Sequence, residues 1–298
     1  MSKKKVLISG SSGLIGSALV PFLQSKGFTV GRLLRKPQAL EPYWDIQKRA
    51  LHLQAFADAD IIINLAGENI ASGRWTPQKK QRLLDSRILS TRLLVEHFKK
   101  RTPAPALFIN ASAIGFYGNR GLQQLDENSA VGDDFVSRLA RKWEQESQPV
   151  KEAGTRLVNL RTALVLSKDG GALVKMLPAF KLGLGGKIGS GKQIMSWIDI
   201  NDLLKAILFI INNQQIHGPV NIASENPVSN QQFSSSLARQ LKRPNLLPLP
   251  ECVIKLLFAE MGKELLLSST NVIPKKLTDA GFEFDYATLE KSLQQQLG

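Results

Sequence analysis

The chain has 298 residues, is 43% hydrophobic, carries a formal net charge of +14 and contains a single cysteine, Cys252. Such a length and apolar content can bury one large core, or a large core with a small appended lobe, and exclude a disordered chain. One cysteine excludes an internal disulfide framework, and the longest apolar stretch, residues 203–211 with Lys205 inside it, is far short of the ~20 residues that a membrane span requires.

Residues 3–9 read as a buried parallel strand, and Leu14, Ile15, Ala18, Leu19, Phe22 and Leu23 recur at helical spacing. Between them the chain runs Ile8-Ser-Gly-Ser-Ser-Gly-Leu-Ile-Gly16, so the glycines occupy a strand-to-helix turn. Gly10 permits the tight turn, Gly13 lets backbone approach a pyrophosphate, and Gly16 lets helix and strand pack closely. Ser12, Gly13, Leu14 and Ile15 then bring the N–H groups of the helix start to the phosphates. The lysines at 3–5 lead directly into this strand and not into a signal-peptide core, which makes the cytoplasm the expected compartment.

The second strand falls within residues 28–37 and says which dinucleotide is expected. An acidic residue at its end would hold the ribose hydroxyls of NAD. Here Leu34 stands at that place, followed by Arg35 and Lys36, so NADP(H) is favoured, with Arg35 gripping the 2′-phosphate; a solvated strand exit is the plainer reading. Arg32 ranks below Arg35 for that role.

Further strands are predicted at 60–66, 106–112 and 156–161, with helices at 77–100 and 134–153 between them. Strand alternating with helix implies a Rossmann-type α/β fold, a doubly wound parallel sheet with ligand beyond the carboxyl ends of its strands. Residues 1–165 form this core, with later segments able to return to it. Residues 166–248 supply substrate-lobe segments, and 249–298 a smaller, mostly helical C-terminal lobe with helices expected at 250–267 and 270–280. Cys252 reads as buried filler, and no histidine among His52, His97 and His217 has a catalytic setting. Trp44, Trp75, Trp143 and Trp197 read as packing residues, although Trp75 and Trp197 lie at loop edges where a ring could stack on substrate. The basic residues are spread out with no nucleic-acid module, so a surface that attracts anionic cofactor or substrate is the simpler account; neither a specific nucleic acid nor a membrane is expected as a partner.

The glycine turn, Asn64-Leu-Ala-Gly67 and Asn110-Ala-Ser-Ala-Ile-Gly-Phe-Tyr-Gly118 together resemble an extended short-chain dehydrogenase/reductase. Gly73-Arg-Trp-Thr-Pro77, Asp85-Ser-Arg87, Gly132-Asp-Asp-Phe135, Leu182-Gly-Leu-Gly-Gly186 and Met195-Ser-Trp-Ile-Asp-Ile-Asn-Asp202 are similar to its YfcH-type subfamily, labelled nucleoside-diphosphate-sugar epimerase-like. The resemblance extends over Gly262-Lys-Glu-Leu-Leu-Leu-Ser268 and so covers essentially the whole chain. It implies that Leu65, Ala66, Gly67, Glu68 and Ala111 line the cofactor, and that Ser112 polarises a substrate oxygen.

The resemblance also implies a Tyr-x-x-x-Lys pair about 25 residues beyond that serine. The count reaches Arg138 in place of Tyr and Lys142 in place of Lys, so the lysine survives to hold the ribose and the tyrosine does not. Arg138 stays protonated and can stabilise an oxyanion but is a poor base. Tyr117 is the nearest replacement donor, against a structural role under a loop; Glu68 could face the nicotinamide, cap a helix or pair with Arg74. Arg74, Arg82 and Arg87 could grip an anionic substrate or be helix-surface charge. Two functions stay open: an NADP(H)-dependent reductase or epimerase acting on a hydroxyl or carbonyl of a small or nucleotide-linked substrate, and an NADP(H)-responsive binding protein with little turnover. Helices 77–100 and 134–153 are the surfaces by which the superfamily commonly forms homodimers.

Overall fold

The computed structural model describes residues 3–38 and 40–298. Six strands form the central sheet: β1 (Lys5–Ser9), β2 (Thr29–Leu33), β3 (Ile61–Asn64), β4 (Leu107–Ala113), β5 (Arg156–Thr162) and β6 (Gly218–Ile222). Their order is β6-β5-β4-β3-β1-β2, and every pairing is parallel. The order reverses between β1 and β3, so the crevice at their carboxyl ends is the switch point where such sheets take ligands.

Both faces of the sheet are buried because alternate residues point to opposite sides and both sets are apolar. Ile8, Ile63, Ile109 and Leu160 pack with helices α1 (Leu14–Ser25) and α5 (Ile200–Asn212). Leu7, Ile62 and Phe108 pack on the other face with helix α2 (Pro77–Phe98), beside which lies α3 (Phe135–Ser147). Helix α3 is shorter than expected because Pro149 converts its continuation into the 3-10 turn Gln148–Ala153. The sixth strand comes from residues 218–222, so a later segment does return to the core.

A buried polar row fixes the strand register. Ser9, Asn64, Asn110 and Asn159 are direct neighbours on four successive strands. Ser9 Oγ donates to Asn64 Oδ1 at 2.6 Å, Asn64 Nδ2 to Asn110 Oδ1 at 2.8 Å, and Asn110 Nδ2 to Asn159 Oδ1 at 3.4 Å. A shift of one residue in any strand would bury these amides without partners.

A second network joins the sheet to the C-terminal residues. Arg161 on β5 donates to both carboxylate oxygens of Glu144 on α3, at 2.8 and 2.9 Å, and its Nη1 donates to Tyr117 Oη at 3.0 Å. Tyr117 Oη donates to Asn221 Oδ1 at 2.6 Å, and Asn221 Nδ2 donates to the carbonyl of Ile273 at 2.9 Å. Glu127 Oε1 accepts the backbone N–H groups of Asn221 and Lys276 at 3.0 and 3.2 Å.

The remaining helices are α4 (Gly171–Lys181), α6 (Asn230–Gln240), α7 (Glu251–Met261), α8 (Lys275–Asp279) and α9 (Leu289–Leu297). The single helix expected at 250–267 is interrupted: Ala259 has φ 49°, and Gly262–Leu266 winds as a π-turn. The helix expected at 270–280 starts only at Lys275, after Pro274, because Asn271–Val272 pairs in parallel with Gln124–Leu125. Cys252 is exposed on α7, not buried filler. Among the described residues, no helix is long and apolar enough to cross a membrane.

The Glu144 pair predicts a large effect from an isosteric change. Glu144→Gln leaves Arg161 as a buried charge without its counterion and should lower folding stability by roughly 3–5 kcal/mol, read as a shifted urea midpoint. Glu127 gives a pH signature. Burial is the main cause that raises its carboxyl above the ordinary 4.5. Its stabilising share is therefore present below that pH and is lost as pH rises through the folded value. Stability curves of Glu127→Gln should lack that fall, while the amide oxygen still accepts the two N–H groups.

Candidate functional site

The β1–α1 turn has the shape of a phosphate cradle. Gly10 adopts φ +70°, and a Cβ there would lie 2.7 Å from the Leu65 carbonyl. A Cβ on Gly16 would lie 2.3 Å from the Gly10 oxygen, so strand, turn and helix meet at a distance only glycine allows. Gly13 is the N-cap of α1 and donates its own N–H to Gly10 O at 3.0 Å. No side chain caps this helix, which leaves its first N–H groups and the positive end of its dipole to the crevice. Ser12 and Gly13 are exposed, and Leu14 and Ile15 are half-buried. Leu14 also touches the Gly170-Gly171 turn, since a Cβ on Gly171 would lie 2.8 Å from its Cδ2. That turn, at the start of α4, had no signal in the sequence beyond its paired glycines.

Beyond β2, two arginines have different fates. Glu41 accepts both the N–H and the Nε–H of Arg32, at 2.9 and 2.8 Å, so Arg32 is committed. Arg35 is exposed and forms no salt bridge among the described residues. With Leu34 half-buried beside it, the strand end offers a cation and no carboxylate to a ribose. Leu65 and Ala66 are half-buried next to the turn, followed by exposed Gly67 and half-buried Glu68; Ala111 is half-buried at the end of β4. The residues expected to hold a dinucleotide are thus brought together on one edge, and their shape and charge fit one.

The expected reaction residues are not brought there. Ser112 is buried, and its hydroxyl donates to Glu144 Oε1 at 2.7 Å. Strand alternation turns Ala111 and Ala113 the other way, so the expectation that Ser112 polarises a substrate oxygen is corrected: it serves the buried ion pair. Tyr117 is also corrected from proton donor to structural residue. It is fully buried, its hydroxyl is engaged with Asn221 and Arg161, and burial above all pushes its pKa up to about 12.

Arg138 and Lys142 are exposed, and Arg138 turns back to the carbonyl of Asp133. Helix α3 places Glu144 against β4, and at about 100° per residue Ser137 lies about 20° from it around the helix, Ala140 about 40° and Val136 about 80°. All three are buried, and Val136 lies so close to the turn after β4 that a Cβ on Gly115 would meet its Cγ1 at 2.3 Å. The positions that precede Glu144 toward β4 are therefore an alanine, a valine and a serine whose Oγ donates to the Gly115 carbonyl at 2.9 Å, and none of the three carries an ionisable side chain. Lys142 is nearly opposite Glu144 on the helix, which corrects its expected hold on a ribose.

The charged groups nearest the turn after β3 form a tight cluster. Glu68 Oε1 accepts from the buried Lys79 Nζ at 2.5 Å, with Arg82 at 3.6 Å, and the hydrogen bond from Lys79 is the main cause holding the Glu68 carboxyl below its ordinary range. Its partner is Lys79 and not Arg74, which donates instead to the carbonyl of Leu256 at 3.2 Å. Arg87 is not surface charge: it is buried, donates to the carbonyls of Leu83 and Glu68 at 3.0 Å, and stacks over Trp143 at 5.0 Å. Burial lowers its pKa to about 10. Glu264, from the π-turn, accepts the N–H groups of Phe135 and Val136 at 3.3 and 3.1 Å, so a C-terminal residue caps α3.

Comparison with known proteins places this geometry. Residues 6–223 match the NAD dependent epimerase/dehydratase family, and residues 249–296 match a domain of unknown function (DUF1731). An epimerase family protein of Mycobacterium bovis is 40% identical over 295 residues, which cover 98% of this chain and 97% of that one. The crystal structure of human epimerase family protein SDR39U1 (isoform 2) with NADPH is 31% identical, has a TM-score of 0.90 and covers 98% of each chain. A nucleoside-diphosphate sugar epimerase from Corynebacterium glutamicum is 33% identical with a TM-score of 0.82; the match covers 100% of this chain and 59% of the other. By the extent of the match and by these relatives, the chain belongs to the NAD dependent epimerase/dehydratase family.

Proposed function

We propose that this protein binds NADP(H) at the β1–α1 turn and that nucleotide occupancy, more than acid/base-assisted turnover, is its principal output. The observation that carries this reading is the side of α3 toward β4, where Val136, Ser137 and Ala140 offer no acid/base pair while Arg138 and Lys142 are exposed. Gly10, Ser12, Gly13, Leu14, Ile15 and Gly16 would hold the diphosphate, Arg35 the 2′-phosphate, and Leu65, Ala66, Gly67, Glu68 and Ala111 the edge along the rest of the cofactor. The NADPH in the structure of the human relative supports the same choice. When bound, the reduced nicotinamide supplies hydride chemistry; this chain's residues orient it and leave proton handling to groups outside α3.

A second reading, a reductase or epimerase acting on a hydroxyl or carbonyl of a small or nucleotide-linked substrate, rests on the Glu68–Lys79 pair. That pair is held at the same edge by Ser72, which accepts from Lys79 at 2.8 Å, and by Ser86, whose Oγ accepts the Glu68 N–H at 3.0 Å.

Titration of the purified protein with NADPH and NADH, followed by a carbonyl panel against the reduced cofactor, tests both readings. Tight NADPH binding without oxidation is the expected result. Oxidation by one carbonyl class, lost in Glu68→Gln with binding intact, would establish the second reading over the first. Arg35→Glu should weaken NADPH by about 1–3 kcal/mol and NADH by much less; equal losses would remove Arg35 from the 2′-phosphate.

A further inference from the structure

Two surface segments far apart in sequence form one patch. Ile188 and Leu249 make an isolated parallel bridge, with Leu249 N–H donating to Lys187 O at 2.8 Å and Gly189 N–H to Leu249 O at 2.9 Å. Gly183 and Gly186 let the strands approach: a Cβ on Gly183 would lie 3.2 Å from Pro244 Cγ, and one on Gly186 would lie 2.0 Å from the Leu247 oxygen.

This joined surface exposes four leucines, Leu182 at 74%, Leu184 at 57%, Leu246 at 77% and Leu247 at 52%. Single exposed leucines are ordinary, but four in two segments bound to each other make a contiguous apolar feature. The two segments themselves carry charge of one sign, with Glu251 at their border, its Cβ 3.8 Å from where a Cβ on Gly189 would stand. Residues 181–192 and 239–250 contain Lys181, Lys187, Lys192, Arg239, Lys242 and Arg243 and no acidic residue. None of those six cations forms a salt bridge among the described residues, although the protein pairs others, such as Lys255 with Glu251 just beyond.

We propose that this patch is a docking surface for the headgroup region of an anionic lipid bilayer. Leucines that enter the acyl boundary beside unpaired lysines and arginines that meet anionic headgroups are the two components of peripheral membrane binding. A second copy of the chain would set the same cations against each other, which disfavours self-association through this face. A nucleic acid would satisfy the charges and leave the leucines in water. Among the described residues the lack of a spanning helix bears only on crossing a bilayer, and surface binding departs from the sequence expectation of no membrane partner.

Co-sedimentation of the full-length protein with vesicles of phosphatidylcholine alone, and of phosphatidylcholine with one-third phosphatidylglycerol, tests the assignment. Binding to the anionic vesicles only, weakened by salt, is expected. The pairs Leu246→Asp with Leu247→Asp and Lys242→Glu with Arg243→Glu should each reduce partitioning by about tenfold or more. Reversal of two exposed lysines elsewhere, Lys48→Glu with Lys100→Glu, should change it far less. Urea midpoints establish that each variant is folded, and Leu246→Ser with Leu247→Ser provides a milder pair if the aspartates unfold the chain. Equal partitioning of patch and control variants, or equal binding to neutral vesicles, would overturn the proposal. So would leucine variants that turn a dimer into a monomer in analytical ultracentrifugation with no change in lipid binding.

Discussion

The ion pair between Glu144 and Arg161 is the constraint on which the most distant parts of the molecule converge. Two charges withdrawn from water are tolerated only when geometry and further hydrogen bonds compensate their desolvation. Here that compensation recruits Ser112 from β4, Tyr117 from the turn after it, and through Asn221 the backbone near Ile273. Phe116 adds its ring face, 3.5 Å from the Arg161 guanidinium carbon. The pair thus fastens α3 to the sheet and the sheet to the C-terminal residues. The same commitment removes Ser112 and Tyr117 from the crevice, because their hydroxyls cannot leave without stranding buried charge.

The crevice consequently has two dissimilar ends. At β1 and β2 the backbone is shaped for close approach, with glycines where a Cβ would collide, a helix start without a side-chain cap and an arginine that forms no salt bridge among the described residues. At β4 and α3 the polar groups are tied into the Glu144–Arg161 pair, and beside it Val136 packs with Phe135, Leu139 and the half-buried Trp75 and Leu265. Charge free to meet a ligand is concentrated where a nucleotide would sit and is sparse where a proton would have to move. Glu68 and Lys79 are the exception, and the hydrogen bond from Lys79 holds the Glu68 carboxyl below its ordinary range.

The C-terminal residues are integrated with the core through carboxylates that accept otherwise unpaired donors. Glu264 caps α3, Asp202 accepts the N–H groups of Asp285 and Tyr286 at 2.9 Å each, and Asp199 accepts from Ser292 and Gln296. Burial raises the Glu264 and Asp202 carboxyls, yet each receives backbone donors that stabilise its charged form. Removal of the segment would therefore expose helix ends and buried acids in the core.

What the sequence determined by itself was local. The glycine spacing between an apolar run and an amphipathic one specifies the β1–α1 turn, because φ above zero and a Cβ-free approach are properties of single residues. Short continuous apolar runs specified the strands, and the absence of a carboxylate at Leu34 was visible without any partner. What only the tertiary structure decided was rotational phase and pairing. A count of 25 residues from Ser112 could reach Arg138 and Lys142, but the side of α3 that faces the sheet is set by Glu144 meeting Arg161, 17 residues away in sequence. Likewise Arg87 looked like helix-surface charge until Trp143 and the carbonyl of Glu68 enclosed it, and the sixth strand has no neighbour in sequence to announce it. Local patterns fix which conformation a segment adopts; which of its faces becomes interior depends on free energy shared with residues far along the chain.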